Sequence, residues 1–290
     1  MTHPQGAPGW APTPDGRTLF YQELPGPGPT VVFEAGAAST RSIWGLVQPA
    51  LARVARTVVY DRAGLGRSES ADNPRRLPDL AADLNALLDH LEQTAAADIG
   101  STGFVLVGHS WGGPIVRLAA IRRPERIDGL VLVDPADEDC DVYYSAVTRR
   151  SNRIQNTLFP PLARAGLLRR IYGLTVNAYP PEVRADARRE MYTPTAVATQ
   201  IAESARMTED LSALRAQARE SPELPVTVIS GAKSGGLGND TRRQLNAAHR
   251  SRAARSRDGR HVVAERSGHL VMISQPELIA EETTALLRRF

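Results

Sequence analysis

Six short runs rich in valine, leucine and isoleucine punctuate this chain, and longer helix-patterned stretches separate them. The runs are TVVFEAG (30–36), RTVVYDR (56–62), FVLVGHS (104–110), GLVLVDP (129–135), PVTVISG (225–231) and HVVAERSGH (261–269). Each is apolar almost without interruption, the mark of a strand covered on both faces, and such strands spaced by helices build crossover units in a mainly parallel α/β sheet. GRTLFYQEL (16–24) alternates more and predicts an antiparallel edge strand. Helices are expected over 42–55, 79–93, 112–123, 240–250 and 276–289. In the second of these Leu80, Leu84, Leu87, Leu88 and Leu91 recur at three- and four-residue spacing, so one stripe faces the sheet.

One interval breaks this rhythm. About ninety residues separate Pro135 from Pro225, far more than a crossover loop needs. The stretch reads as several short helices broken by prolines, in LFPPLARAGLLRRIYGL, AYPPEVRADARREMY and MTEDLSALRAQARE. It predicts a helical lid over 136–222, inserted after the sixth core strand, with 1–135 and 223–290 forming the core. Phe159, Tyr143, Tyr144 and Tyr172 of that stretch are candidates to line an apolar pocket, or simply to form the lid's own core.

The strand-like FVLVG leads straight into GHSWG, and the helix-patterned GGPIVRLAAIRR follows. G-x-S-x-G alone arises by chance, but between a strand and a helix it marks a sharp turn that lifts a serine hydroxyl above the carboxyl edge of the sheet. Ser110 is therefore the candidate nucleophile. Gly108 and Gly112 are expected because a Cβ at either place would meet the neighbouring strand or helix.

A serine hydroxyl needs a neighbouring base, usually histidine. Of six histidines, His269 closes the last predicted strand at the same sheet edge, whereas His109 on its strand should point to the opposite face. No two histidines stand at metal-binding spacing, so no zinc site, and no cofactor, is expected.

GHSWGG, the downstream RIDGLVLVDP, the upstream VVYDRAGLGRS and the late SGHLVMISQPELI together, in this order, resemble the α/β-hydrolase superfamily over nearly the whole chain. The resemblance implies an eight-stranded, mostly parallel sheet with a lid between strands six and seven. It also implies His269 as the terminal-loop histidine of a Ser-His-acid triad. The family most often supplies the acid after strand seven, where this chain has SGAKSGGLGND with Ser234 in that place; some members take it from the end of strand six, where Asp134 stands. Asp134 ranks first, Asp240 second, then Asp137 or Asp139. The oxyanion hole would use the N–H of Trp111 and, from the loop after VVFEAG, that of Ala37. Many relatives carry His-Gly in that loop; Glu34-Ala35-Gly36 departs from this, and a salt bridge to Arg62 is the expected use of Glu34.

The expected activity is hydrolysis of a small-molecule ester or lactone, with an amidase, aminopeptidase or perhydrolase as alternatives, or a member that only binds ligand or runs a non-hydrolytic biosynthetic step. Serine at 110 argues against dehalogenases and epoxide hydrolases that use an aspartate nucleophile. RAGLGRS and GAKSGGLG lack the spacing of a dinucleotide or phosphate loop and are expected as ordinary loops.

Composition narrows partners and place. The net charge of +3 comes from arginines scattered through the chain, with Lys233 the one lysine, and aromatic residues are 5%, so no nucleic-acid footprint is expected. Cys140 is the single cysteine and forms no internal disulfide. The first residues lack the pattern of a secretory signal and no apolar run is long enough to cross a bilayer, so a cytoplasmic protein without a membrane partner is expected.

Overall fold

Eight strands form one sheet: β1 (Ala7–Pro12), β2 (Thr18–Leu24), β3 (Thr30–Glu34), β4 (Arg56–Tyr60), β5 (Phe104–His109), β6 (Ile127–Val133), β7 (Val226–Gly231) and β8 (Arg260–Ala264). The computed structural model describes residues 2–94, 103–173, 175–217 and 223–290. The spatial order is β1-β2-β4-β3-β5-β6-β7-β8. Pairs β1–β2 and β2–β4 are antiparallel and every other pair is parallel.

Period-two alternation sorts the apolar strand residues onto two covered faces. Val31, Phe33, Val59, Val105, Val107, Val131, Val133 and Ile229 pack with Leu51 of α1 (Gln48–Leu51) on one side. Val32, Val58, Leu106, Leu130, Leu132 and Val228 pack on the other with Leu80, Leu84 and Leu87 of α2 (Leu77–Thr94) and Ile115 of α3 (Gly112–Arg122). Each of these side chains is buried, which stabilises the fold by roughly 1.5–3 kcal/mol apiece for the larger ones.

Between β6 and β7 the chain makes α4 (Ala146–Arg164), α5 (Leu167–Tyr172), α6 (Pro181–Glu190), α7 (Pro194–Ser204) and α8 (Met207–Gln217). The expected end of this insertion, 218–222, lies outside the described residues. Two buried arginines of the core fasten it. Arg41 donates to Asp186 at 2.7 Å and Glu190 at 2.6 Å on α6, and Arg62 donates through Nε and Nη2 to Glu203 on α7 at 3.0 and 2.9 Å. The chain closes with α9 (Asn239–Arg255), α10 (Val271–Ser274) and α11 (Pro276–Leu287), whose Ile279 and Leu286 join the α1 side of the sheet. Among the described residues, no helix is long and apolar enough to cross a membrane.

Several local expectations change. β2 is antiparallel but not at the edge, because β1, a proline-bearing strand with a largely exposed face, covers it. The helix expected over 42–55 shrinks to a 3-10 turn at Arg41–Trp44 and the short α1, since Pro49 has no N–H to continue a helix from upstream. Pro160 and Pro161, read as breakers, lie inside α4, and the helix runs on far enough for Ala165 N to reach Pro161 O at 3.0 Å. β8 stops at Ala264, so His269 stands in a turn before α10 and does not close a strand.

Candidate active site

The strand order reverses direction at the centre of the sheet: from β3 the chain steps outward to β4, and β5 returns to the other side of β3. Such a reversal opens a crevice at the carboxyl ends of the two central strands. Here those ends are Glu34 and His109, and the residues that follow them are the oxyanion-loop candidates and Ser110.

Ser110 occupies the left-handed region at φ 52°, which costs a non-glycine residue about 1 kcal/mol or more. The turn is held at both ends. Ser110 N donates to Val133 O at 3.1 Å, and its carbonyl accepts from Gly113 N at 3.0 Å and Ala136 N at 2.9 Å. A Cβ on Gly108 would stand 2.6 Å from Gly112 O, and one on Gly112 2.6 Å from Glu34 O, so both glycines are needed for the close approach. Gly36 lies directly over the turn, where an added Cβ would come within 2.8 Å of His109 Nδ1 and 3.1 Å of Ser110 Cβ.

One strand over, Asp134 also has a left-handed backbone, at φ 42°. Its Oδ2 accepts from His269 Nδ1 at 2.7 Å, and Oδ1 accepts from Gly231 N at 3.0 Å and Arg242 Nη1 at 2.5 Å. Burial opposes ionisation of this carboxyl, but the His269 and Arg242 contacts outweigh it and hold the group well below the usual carboxylate range. Because a carboxylate only accepts, His269 Nδ1 carries the proton and Nε2 is left as the basic nitrogen.

The His109 ring lies 4.6 Å from the His269 ring, and its Nε2–H donates to the His269 carbonyl at 3.0 Å. His109 thus leaves the serine's face, as alternation demands, but supports the histidine loop from below. Burial, then the neighbouring His269, push its pKa down to about 3, so it stays neutral and is unsuited to be the base. Because β5 and β6 pair in parallel, the turn with Asp134 and its His269 partner lies at the same carboxyl edge of the sheet as the Ser110 turn. Among the described residues no hydrogen bond holds the Ser110 hydroxyl.

The other carboxylates stand apart from His269. Asp240 is exposed in the first turn of α9 and pairs with Arg243, Asp137 is buried against Arg252, and Asp139 accepts from Arg215, Arg252 and Arg255. The aromatics of the insertion after β6 are chiefly packing residues: Phe159 and Tyr172 sit against Ala163, Leu168 and Val197, Tyr172 stacks on Tyr192, and Tyr143 and Tyr144 pack on the main core. Cys140 is buried beside Leu245 and Ala248.

Trp111 opens α3 with a right-handed backbone, and its N–H belongs to the first turn, where helix donors lack internal acceptors. The loop after β3 passes close to the start of α3, where a Cβ on Gly112 would stand 2.8 Å from Ala35 O. Arg62, buried, donates through Nη1 to Glu34 Oε1 and Ala35 O, both at 2.6 Å, and through Nη2 to Gly36 O at 2.9 Å. The expected Glu34–Arg62 pair is present, and burial raises the Glu34 pKa against the pull of Arg62. Behind the acid turn, Ser230 Oγ lies 2.8 Å from His249 Nδ1 and 2.9 Å from His261 Nε2, and His249 Nε2 reaches Pro135 O at 2.8 Å. Arg41, Arg242 and the Ser230–His249–His261 cluster were not singled out by sequence, because each gains its meaning from partners distant along the chain.

A strand order reversing at β3, a serine on a strained strand-to-helix turn and a histidine paired with a carboxylate at one sheet edge define a hydrolase-type α/β fold. Residues 31–282 match the model of the alpha/beta hydrolase family, and the chain belongs to that family. A haloalkane dehalogenase of Mesorhizobium japonicum is 33% identical over 117 residues, 40% of this chain and 35% of that protein. The matched stretch thus spans well under half of that curated relative. Two solved structures share the fold: the enol-lactonase of Burkholderia xenovorans LB400, at 20% identity and TM-score 0.67 over 97% of this chain and 100% of that one, and an esterase of Exiguobacterium antarcticum, at 17% identity and TM-score 0.70 over 96% and 98%.

Proposed function

We propose that this hydrolase-family chain cleaves a carboxylic ester or lactone by a serine mechanism, with Ser110 as nucleophile, His269 as base and Asp134 as the orienting acid. The observation that carries the reading is the 2.7 Å contact between Asp134 Oδ2 and His269 Nδ1, at the rim that bears the strained Ser110 turn. His269 Nε2 takes the Ser110 proton as Oγ bonds to the substrate carbonyl carbon. Asp134 stabilises the resulting imidazolium, and the N–H groups of Trp111 and Ala37 hold the oxygen as it becomes negative. His269 returns the proton to the leaving alkoxide, takes one from the water that attacks the acyl-enzyme, and gives it to Ser110 Oγ as the acyl–Oγ bond breaks and the acid product leaves. These residues complete the cycle without a metal or cofactor. The inserted helices of 136–222 serve as a cap that limits water at the site.

The test pairs turnover with labelling. A panel of p-nitrophenyl esters and lactones is expected to be hydrolysed, aminoacyl anilides much more slowly, and a fluorophosphonate should label Ser110 and fail on Ser110→Ala. Faster cleavage of the anilides would move the assignment to an amidase. No turnover and no labelling would overturn it.

A further inference from the structure

The buried Arg62 has all five of its N–H donors engaged: two at Glu34 Oε1 and Ala35 O, two at Gly36 O and Glu203 Oε2, and Nε at Glu203 Oε1. Only a planar fork meets five acceptor contacts on two separate segments, 34–36 and Glu203, at once, so lysine could not replace it. The Gly36 carbonyl it holds shares a peptide plane with the Ala37 N–H. No peptide among the described residues is cis, and in a trans peptide the C=O and N–H point in opposite directions. Holding the carbonyl toward the guanidinium therefore turns the Ala37 N–H away from it.

That peptide would otherwise be loosely determined. Gly36 has no side chain to oppose a flip, Ala38 beyond it already sits at φ 58°, and the one backbone bond to Gly36 O, from Ser39 N, is long at 3.3 Å. With Arg62 in place a flip would press the Ala37 N–H against guanidinium N–H groups. The cation also polarises the peptide it holds, which strengthens the N–H as a donor. Glu203, two of whose contacts set the plane of the fork, belongs to α7 of the inserted segment, so the plane depends on how that helix is seated. Arg75 Nη2 steadies Glu203 from a further side at 3.2 Å.

We propose that Arg62 is the positioning residue of the oxyanion hole, aiming the Ala37 N–H through the Gly36 carbonyl, and that Glu203 makes this aim depend on the seating of α7. The inference rests on the serine-hydrolase reading and deepens it.

The test uses the full chain and two variants, Arg62→Lys and Glu203→Gln, read by ester kinetics and by binding of an alkyl boronate that forms a tetrahedral adduct on Ser110. Arg62→Lys is expected to lower kcat by about 10²–10³-fold with KM within threefold, the loss typical of one oxyanion donor, and to weaken boronate binding in parallel. Its kinetic pH profile should keep its shape, since the His269–Asp134 pair is untouched. Glu203→Gln, which keeps an acceptor but removes the charge, should lose about tenfold in both readouts. A folded Arg62→Lys with kcat and boronate affinity within threefold of wild type would overturn the proposal. Should Arg62→Lys fail to fold, because it leaves Glu34 and Glu203 poorly compensated, Glu203→Gln decides: parallel losses support the proposal and unchanged values overturn it. A wild-type protein that binds boronate at Ser110 yet hydrolyses no ester or lactone would sink the functional reading and leave this inference to the variants. A wild type that does neither would overturn both.

Discussion

Ser110 and Asp134 follow adjacent strands, both with left-handed backbones, and the two turns are joined through Ser110 N to Val133 O and Ala136 N to Ser110 O. Yet their environments are opposite. The Ser110 turn is cleared by glycines and leaves a hydroxyl part-exposed with no fixed partner, whereas the Asp134 carboxylate is buried and receives three donors. In the mechanism proposed above, the same backbone strain would serve two ends: one turn would keep an atom free to react, and the other would immobilise the charge that steadies it.

Substitutions can separate the two roles. In activity, Ser110→Ala should lose about 10⁶ in kcat and Asp134→Asn about 10⁴, measured on the best p-nitrophenyl ester. Comparable losses at Asp240 and none at Asp134 would break the comparison. In stability the ranking inverts. Asp134→Ala leaves Arg242 buried without its partner and should cost about 3–5 kcal/mol by urea denaturation, because Arg242 Nε and Nη2 have no other acceptor among the described residues.

Acid acts on the same region next in size. His109 is buried against His269, and burial pushes its pKa down to about 3 in the folded chain against 6.5 unfolded, so between those values only the unfolded chain takes the proton. Stability should therefore be fully present above pH 6.5 and fall by up to about 1.4 kcal/mol per unit toward pH 3, followed by urea melts across that range. The depressed Asp134 and Asp137 carboxyls add to the loss below about pH 3.8. A His109→Gln variant should flatten the upper part of that slope. Ser110→Gly, by contrast, relieves strain and should raise stability by about 1 kcal/mol while abolishing turnover. Smallest of all, Asp240→Asn should leave kcat within twofold and stability within about 0.5 kcal/mol, since its pair with Arg243 is exposed.

How much of this was legible differs between the two turns. The Ser110 turn announces itself locally: glycines two residues either side, a buried strand before and a helix after. The fold was legible for the same reason, since the central strands carry the apolar runs that two-sided burial requires. Asp134 carries no such local signature; a carboxylate after an apolar strand is common, and its ranking came from family resemblance. Arg41 and Arg242 gave no signal at all, and Arg62 gave only its pairing with the nearby Glu34. Arginines are everywhere in this chain, and the partner that matters stands 141 residues away for Arg62 and 108 for Arg242. The end of β8 was misplaced although its apolar residues stop where its pairing with β7 stops, at Ala264, and ERSGH beyond it forms the turn to α10.

The Ser230–His249–His261 cluster has a direction. Pro135 O has no hydrogen to offer, so His249 must donate from Nε2, accept at Nδ1 from the Ser230 hydroxyl, and leave that oxygen to accept from His261 Nε2. Every hydrogen in the row is thereby assigned from one carbonyl, and both imidazoles are fixed in the same tautomer. In a nitrogen-15 spectrum the two rings should share one pattern, Nδ1 pyridine-like and Nε2 pyrrole-like, and Ser230→Ala should release His261 from it before His249.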